Sequence, residues 1–428
     1  MWVFLIIFLA IYAPLINFGS FSLDLQGILF LSVIFYMLIS HKVNAIFYRP
    51  NIVFFILIGM LILYGLLLVF FYSGNGIHVV IRPIRILITL IGCLSIVYLM
   101  FNLRHKSSVE NYIFYAITLH SIIMIIQFLY PDFKMFIYQY TVDIQKIQGA
   151  RMFYSVAGLT TGGGAQLSLY QSLGVLITPL VLMQASSFKY KLVIYTCSLA
   201  CLISVLISGR SGLIAILVFF PIIYLFSKNK DRSSYNLIAI KIIKFLFLFL
   251  IIFSTILFAL NSNFSFLSHE VFHGAWGVLI RTEELLTGQS GTLMHLFEKH
   301  LIPIPDVKTF LFGNPELLNS DFKSSERILN SDIGYIRILF SYGVLGSILH
   351  YLFYIIIIYF SYNIFKYQKG LKDLALFSLI FSIIILIFNA KEVVVFTRIG
   401  LSISAIVLFY LLHAIHLNKK NSHLSDSY

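Results

Sequence analysis

Charge is what this sequence has least of. Asp, Glu, Lys and Arg together make up 11% of its 428 residues, against about 25% in a usual soluble domain. A water-facing surface cannot be assembled from so few charges, which excludes an ordinary soluble enzyme. Cysteine is almost as scarce. Cys93, Cys197 and Cys201 lie inside apolar runs and form no CxxC, so they read as small buried hydrophobes rather than a disulfide framework. No Asp-x-Asp, no P-loop and no Rossmann glycine pattern occurs. Their absence argues against metal–nucleotide chemistry, nucleotide-sugar donors and ATP-driven work.

What is there is apolar: 60% of the residues are hydrophobic and 16% aromatic. At about 20 residues per membrane helix, this supports an all-α, polytopic membrane domain of about 12 transmembrane helices spanning residues 1–428. Apolar runs of helix length fall at 2–17, 24–40, 52–72, 84–102, 111–130, 165–184, 192–208, 211–227, 240–260, 341–361, 374–390 and 394–416. The first run has no basic n-region and no small-residue cleavage pattern, so it reads as a retained helix rather than a signal peptide.

The net charge of +13 is explained by position and does not imply nucleic acid. With the N-terminus in the cytoplasm, the connections on that side hold sixteen Lys and Arg, among them Lys42, Lys189, Lys230 and Lys369. The short connections on the other side hold five: Arg82, Arg85, Arg210, Lys391 and Arg398. That asymmetry follows the positive-inside rule and places both termini inside, with 418–428 as a cytoplasmic tail. Two long segments, 131–164 and 262–340, fall on the outer side, where loops of such length are usually functional. The larger is expected to hold short helices, such as Val278–Leu286, and a turn at Phe312-Gly313-Asn314-Pro315.

Basic residues at outer helix ends run against the positive-inside rule and mark candidate sites. Arg82 and Arg85 flank Pro83 on one helix face, where contact with lipid phosphate is the simpler account. Arg151 leads into Gly162-Gly163-Gly164, a run that permits close backbone approach ahead of a helix start. Arg210 sits in Ser208-Gly209-Arg210-Ser211-Gly212, a hairpin too tight to let the guanidinium roam. Asp332 and Tyr335 precede Arg337, with Ser331 or Asp332 as the expected N-cap. Gly334, Arg337, Ser341 and Leu345 are expected to line one side of the helix that follows. Lys391, Glu392 and Arg398 are expected to begin the last span, Lys391 and Arg398 on one face. One further motif, His269-Glu270-Val271-Phe272-His273, matches HExxH and would suit zinc proteolysis. Its longer form fails at Trp276 and Leu279.

These stretches, in this order and on this side, resemble those of the Wzy-type O-antigen polymerases, which are related to the O-antigen ligases. The resemblance covers most of the chain. It rests on about twelve spans, a late large outer loop, and four short stretches: Arg151 to Ser168, Ser208 to Gly212, Ser331 to Gly346, and Lys391 to Arg398. It implies transfer of a growing glycan from undecaprenyl pyrophosphate to a hydroxyl of a fresh lipid-linked repeat unit, at the outer face of a bacterial inner membrane. No cofactor or metal is implied, and the partners would be the lipid-linked oligosaccharide, membrane lipids and a chain-length regulator. Under it, Arg210 and Arg337 would clamp pyrophosphate, and Asp332 or Glu392 would take the acceptor's proton. Arg151, Gly162, Gly163, Tyr335, Lys391, Arg398, Arg82 and Arg85 would bind substrate. Ligase, flippase and HExxH protease are the alternatives.

Overall fold

The computed structural model describes residues 2–18, 21–40, 48–72, 76–103, 108–141, 156–160, 164–209, 211–226, 306–315 and 333–425. Among them, eight helices are long and apolar enough to cross a membrane: Pro50–Phe71, His78–Asn102, Val109–Leu129, Ala165–Met183, Phe188–Ser208, Gly334–Tyr367, Lys369–Phe388 and Arg398–Asn418. Three apolar helices are shorter: Trp2–Tyr12, Leu25–Ile39 and Ser211–Ile223. Large apolar side chains such as Leu63, Phe70, Leu217 and Tyr359 remain exposed. So many bare apolar faces are tolerable only where lipid covers them. The chain is therefore a predominantly helical membrane protein.

Eleven of the twelve apolar runs coincide with helices, and the run at 240–260 lies outside the described residues. In chain order the helices are α1 (Trp2–Tyr12), α2 (Leu25–Ile39), α3 (Arg49–Phe71), α4 (His78–Asn102), α5 (Val109–Leu129) and α6 (Pro131–Thr141). Then come α7 (Ala165–Met183), α8 (Phe188–Ser208), α9 (Ser211–Phe226), α10 (Val307–Phe312), α11 (Gly334–Tyr367), α12 (Lys372–Phe388) and α13 (Arg398–Ser425). The first run is not helical to residue 17. Pro14 disfavours helix in the residue before it, and Leu15–Asn17 (β1) pairs instead with Ser22–Asp24 (β2).

Three further expectations change. α11 begins at Gly334 behind Ile333, which caps it without a side-chain hydrogen bond. The expected stripe along this helix is broken: Gly343 has φ +63 within it, Ser341 is buried and Leu345 is exposed. α13 begins at Arg398, and Lys391 and Glu392 lie in the turn before it. Lys391 and Arg398 therefore do not share a helix face.

The chain divides into two compact units. One comprises Met1–Pro14, Asp24–Ile113 and Gly291–Tyr428; the other comprises Leu15–Leu23 and Phe114–Ser290. In the first, α4 packs against α2, α3 and α13, and α11 packs against α3, α10 and α12. In the second, α8 and α9 pack against α7. Val278–Leu286 and the HExxH motif lie outside the described residues. The turn expected at Gly313 is present, with φ +80, at the C-terminus of α10.

Candidate functional site

In the first unit, α2, α4, α11 and α13 begin at the end where α1, α3 and α12 finish. Asp24 is the hub of this end. Its side chain caps α2 by accepting from the Gly27 amide at 3.1 Å. The same carboxylate accepts from Arg85 Nη2 at 3.2 Å and from Arg398 Nη2. Arg398 Nε also donates to Gln26 Oε1 at 2.8 Å. Gln26 is itself fixed, because its Nε2 donates to the Ala10 carbonyl at 2.6 Å and to Ser402 Oγ at 3.1 Å. Two residues at the start of α2 thus aim the guanidinium that opens α13.

Arg82, one turn before Arg85 on α4, donates to the Val395 carbonyl at 3.3 Å. Among the described residues, Asp24 is the one carboxylate paired with this cluster. Two guanidiniums share the Asp24 carboxylate and Arg82 bonds a neutral carbonyl, so this cluster of four side chains carries more positive than negative charge. Arg85 keeps 60% of its side chain exposed and Arg398 36%, so both have donors to spare. Such forks match phosphate oxygens in pairs and stay protonated throughout.

The connector between α12 and α13 is built around Asn389, which is fully buried. Its Oδ1 accepts from the amides of Val394 at 3.1 Å and Val395 at 3.3 Å. Its backbone carbonyl accepts from the Tyr335 amide at 3.3 Å. A Cβ on Gly334 would lie 2.7 Å from the Glu392 carbonyl oxygen, so only glycine lets the two segments approach. The stretches around Tyr335 and Glu392 are thereby brought together. Tyr335 donates its hydroxyl to the Leu386 carbonyl at 2.6 Å and packs on Tyr351, ring centroids 5.0 Å apart. Arg337, Lys391 and Glu392 are half-buried. α10 lies at the same end, held by Tyr72 Oη donating to the Gly313 carbonyl at 2.7 Å. Asp306 caps α10, and hydrogen bonds from the Thr309 amide and hydroxyl hold its carboxyl below the usual range.

In the second unit, two other sequence-predicted stretches meet. Ser168, in the first turn of α7, donates to the Gly209 carbonyl at 2.5 Å and accepts from the Gly212 amide at 3.1 Å. A Cβ on Gly209 would lie 3.2 Å from the backbone of Gly164. Gly164, the last glycine of its run, therefore lies against Gly209 at the end of α8. Arg151, Gly162, Gly163, Arg210 and Asp332 lie outside the described residues.

Residues 156–160 are pinned within this second unit. Gln127 exchanges two hydrogen bonds with Gly158, at 2.8 and 2.9 Å. The Ala157 amide donates to Tyr138 Oη at 2.9 Å, and the Leu159 amide donates to His120 Nε2 at 3.1 Å. An imidazole accepting at Nε2 carries its proton on Nδ1. Gln171 Nε2 lies 2.7 Å from Nδ1, and the donation from Leu159 calls for the side-chain amide in its flipped orientation, with the oxygen facing the Nδ1 proton. Lys134 is buried on α6 beneath Tyr138, its Nζ 5.5 Å from the ring centroid. Burial lowers this lysine to about 8 and raises the Tyr138 hydroxyl to about 12.

Sequence reasoning missed Asp24, Gln26, Asn389 and His120. A signal existed for the first: Asp24 is the sole acidic residue before Glu110, and it stands at the junction of two apolar runs. The sequence matches no protein-family model and no curated protein.

Proposed function

We propose that the chain polymerises undecaprenyl-pyrophosphate-linked oligosaccharide repeat units at the outer face of a bacterial plasma membrane. The observation that carries this reading is that Arg85 and Arg398 share the carboxylate of Asp24, with Arg82 one turn from Arg85 and bonded to the Val395 carbonyl. A membrane protein poor in charge has collected three guanidiniums at one end of a helical unit. That is a suitable seat for a doubly or more negative leaving group held by a lipid.

In the reaction proposed, the bond between the sugar's anomeric carbon and the pyrophosphate oxygen breaks, and the oxygen keeps the electron pair. The acceptor hydroxyl forms the new glycosidic bond and gives its proton to a carboxylate, Glu392 or Asp332. Arginines aimed at the departing oxygen stabilise charge as it develops. Arg85 and Arg398 have exposed donors for this task, and Arg82 stands one turn away. From the resemblance, Arg210 and Arg337 are assigned to a pyrophosphate clamp, and Arg151, Gly162, Gly163, Tyr335 and Lys391 to substrate binding.

The test uses purified full-length protein, a synthetic lipid-linked repeat unit and a gel that resolves chain lengths. Removing one such donor commonly costs about a hundredfold or more in rate. Arg398→Gln and Arg85→Gln should therefore each suppress the ladder while the protein stays folded in the membrane, losing no more than about 1 kcal/mol of stability per ion pair. An unchanged ladder in both would sink the reading. In cells, deletion should leave lipid A core capped by a single unit. Uncapped core with lipid-linked polymer would instead indicate a ligase, and inward-facing lipid-linked units a flippase.

A further inference from the structure

His350 lies on α11 with 1% of its surface exposed. Its Nδ1 is 2.7 Å from the Gly346 carbonyl. A carbonyl only accepts, so Nδ1 carries the ring proton and Nε2 of the neutral ring offers a lone pair. That lone pair is buried and meets no hydrogen-bond donor among the described residues. Native structures rarely leave a buried polar atom in this state, and where they do a ligand or a working role often accounts for it.

A second observation concerns a residue packed against this ring. Phe396 meets His350 edge-on, ring centroids 5.4 Å apart. It is the only non-glycine residue with positive φ among the described residues, at +58. A left-handed backbone is an outlier for a bulky residue, and such outliers cluster at clamps and switches. Three ties hold this turn: the Phe396 amide donates to Tyr354 Oη at 3.2 Å, the Val395 amide donates to Asn389 Oδ1 at 3.3 Å, and Arg82 donates to the Val395 carbonyl at 3.3 Å. An anion that drew Arg82 away would loosen one of the three ties.

We propose that His350 Nε2 is a concealed binding position for a carbohydrate hydroxyl, opened when Phe396 turns away. A lone acceptor set among aromatic rings, with the Tyr342 ring tilted against the imidazole at a centroid distance of 4.3 Å, suits a ligand with an apolar C–H face and an O–H donor. The choice of carbohydrate rests on the polymerase reading, whereas the concealment rests on the geometry alone.

Carbethoxylation tests both parts. Full-length protein in detergent is treated with diethyl pyrocarbonate, and the His350 peptide is followed by mass spectrometry, the other histidines serving as controls. His350 should resist in the wild type and react at least about tenfold faster once uncovered. Uncovering is produced by Phe396→Gly or, with no substitution, by inorganic pyrophosphate on the wild type. Resistance in both arms, or rapid reaction in the untreated wild type, overturns the concealed site. In the uncovered protein, an undecaprenyl-pyrophosphate-linked oligosaccharide should restore protection, and undecaprenyl pyrophosphate alone should not. Failure of the glycan to protect while ladders still form would overturn the hydroxyl assignment and leave the polymerase reading standing.

Discussion

Arg398 donates to Asp24 across 374 positions of sequence, and the same carboxylate takes Arg85 from a third helix. Asp24 does this while capping α2. Its removal should therefore be felt twice. An N-cap contributes about 1 kcal/mol, and partly exposed ion pairs contribute up to about 1 kcal/mol each. With side-chain exposures of 28% for Asp24 and 60% for Arg85, the total loss for Asp24→Ala should be about 1–2 kcal/mol. Asp24→Asn, which keeps a capping oxygen, should lose less. Thermal unfolding in detergent reads both, and equal losses would refute the division.

Gly158 should be far less replaceable than Gly164. Its φ is +63, and a Cβ there would lie 2.2 Å from His120 Nε2. Gly164, at φ +83, has open space around the same added atom. Backbone strain alone costs about 1–3 kcal/mol, so Gly164→Ala should remain folded. Gly158→Ala adds a collision with a buried ring and should lower the yield of folded protein sharply. Size-exclusion profiles of the two variants check the order.

Lys134 should make stability depend on alkaline pH. Burial lowers it from its ordinary 10.5 to about 8, so between those values the unfolded chain binds more protons than the folded one. Stability then rises with pH from about 8 to 10.5, and below 8 the cost of burying the charge is fully present. The cost is at most roughly 3 kcal/mol. Lys134→Met should be more stable than the wild type at pH 7, with the difference shrinking above pH 8. A difference that stayed constant with pH would exclude this origin.

Gly343 should govern whether α10 docks. At φ +63 it interrupts α11, and an added Cβ would lie 2.4 Å from the Leu311 carbonyl oxygen. The Asn314 amide donates to the Phe340 carbonyl at 2.7 Å across the same contact. Gly343→Ala should raise hydrogen exchange in residues 306–315 and spare α7 and α8. Unchanged exchange there would count against it.

The positions of the helices were largely legible, because an apolar run long enough to cross a bilayer can satisfy its backbone there only as a helix or within a closed barrel. The α8–α9 hairpin followed from Ser208 to Gly212, and Arg398 stood out as a charge at a helix start. Which face of each helix meets protein was not legible. When every face is apolar, periodicity carries no signal, and lipid-facing Leu345 looks no different from a buried leucine. The break at Gly343 was hidden for a related reason: it is set by the approach of α10, not by its neighbours in sequence. Lys391 and Arg398 have helical spacing, yet Asn389 spends its side chain holding the segment between them out of helix. His350 could not have been singled out, since a histidine within an apolar run declares nothing about which nitrogen is left bare.

The link between Asp24 and Arg398 also sets a timetable. At the usual pace of synthesis, roughly 5–20 residues per second, α2 leaves the ribosome on the order of half a minute before Arg398 exists. Asp24 and Gln26 must wait that long for the guanidinium that joins them. A nascent chain halted before α13 lacks that partner, and quality-control proteases should clear it faster than the finished protein.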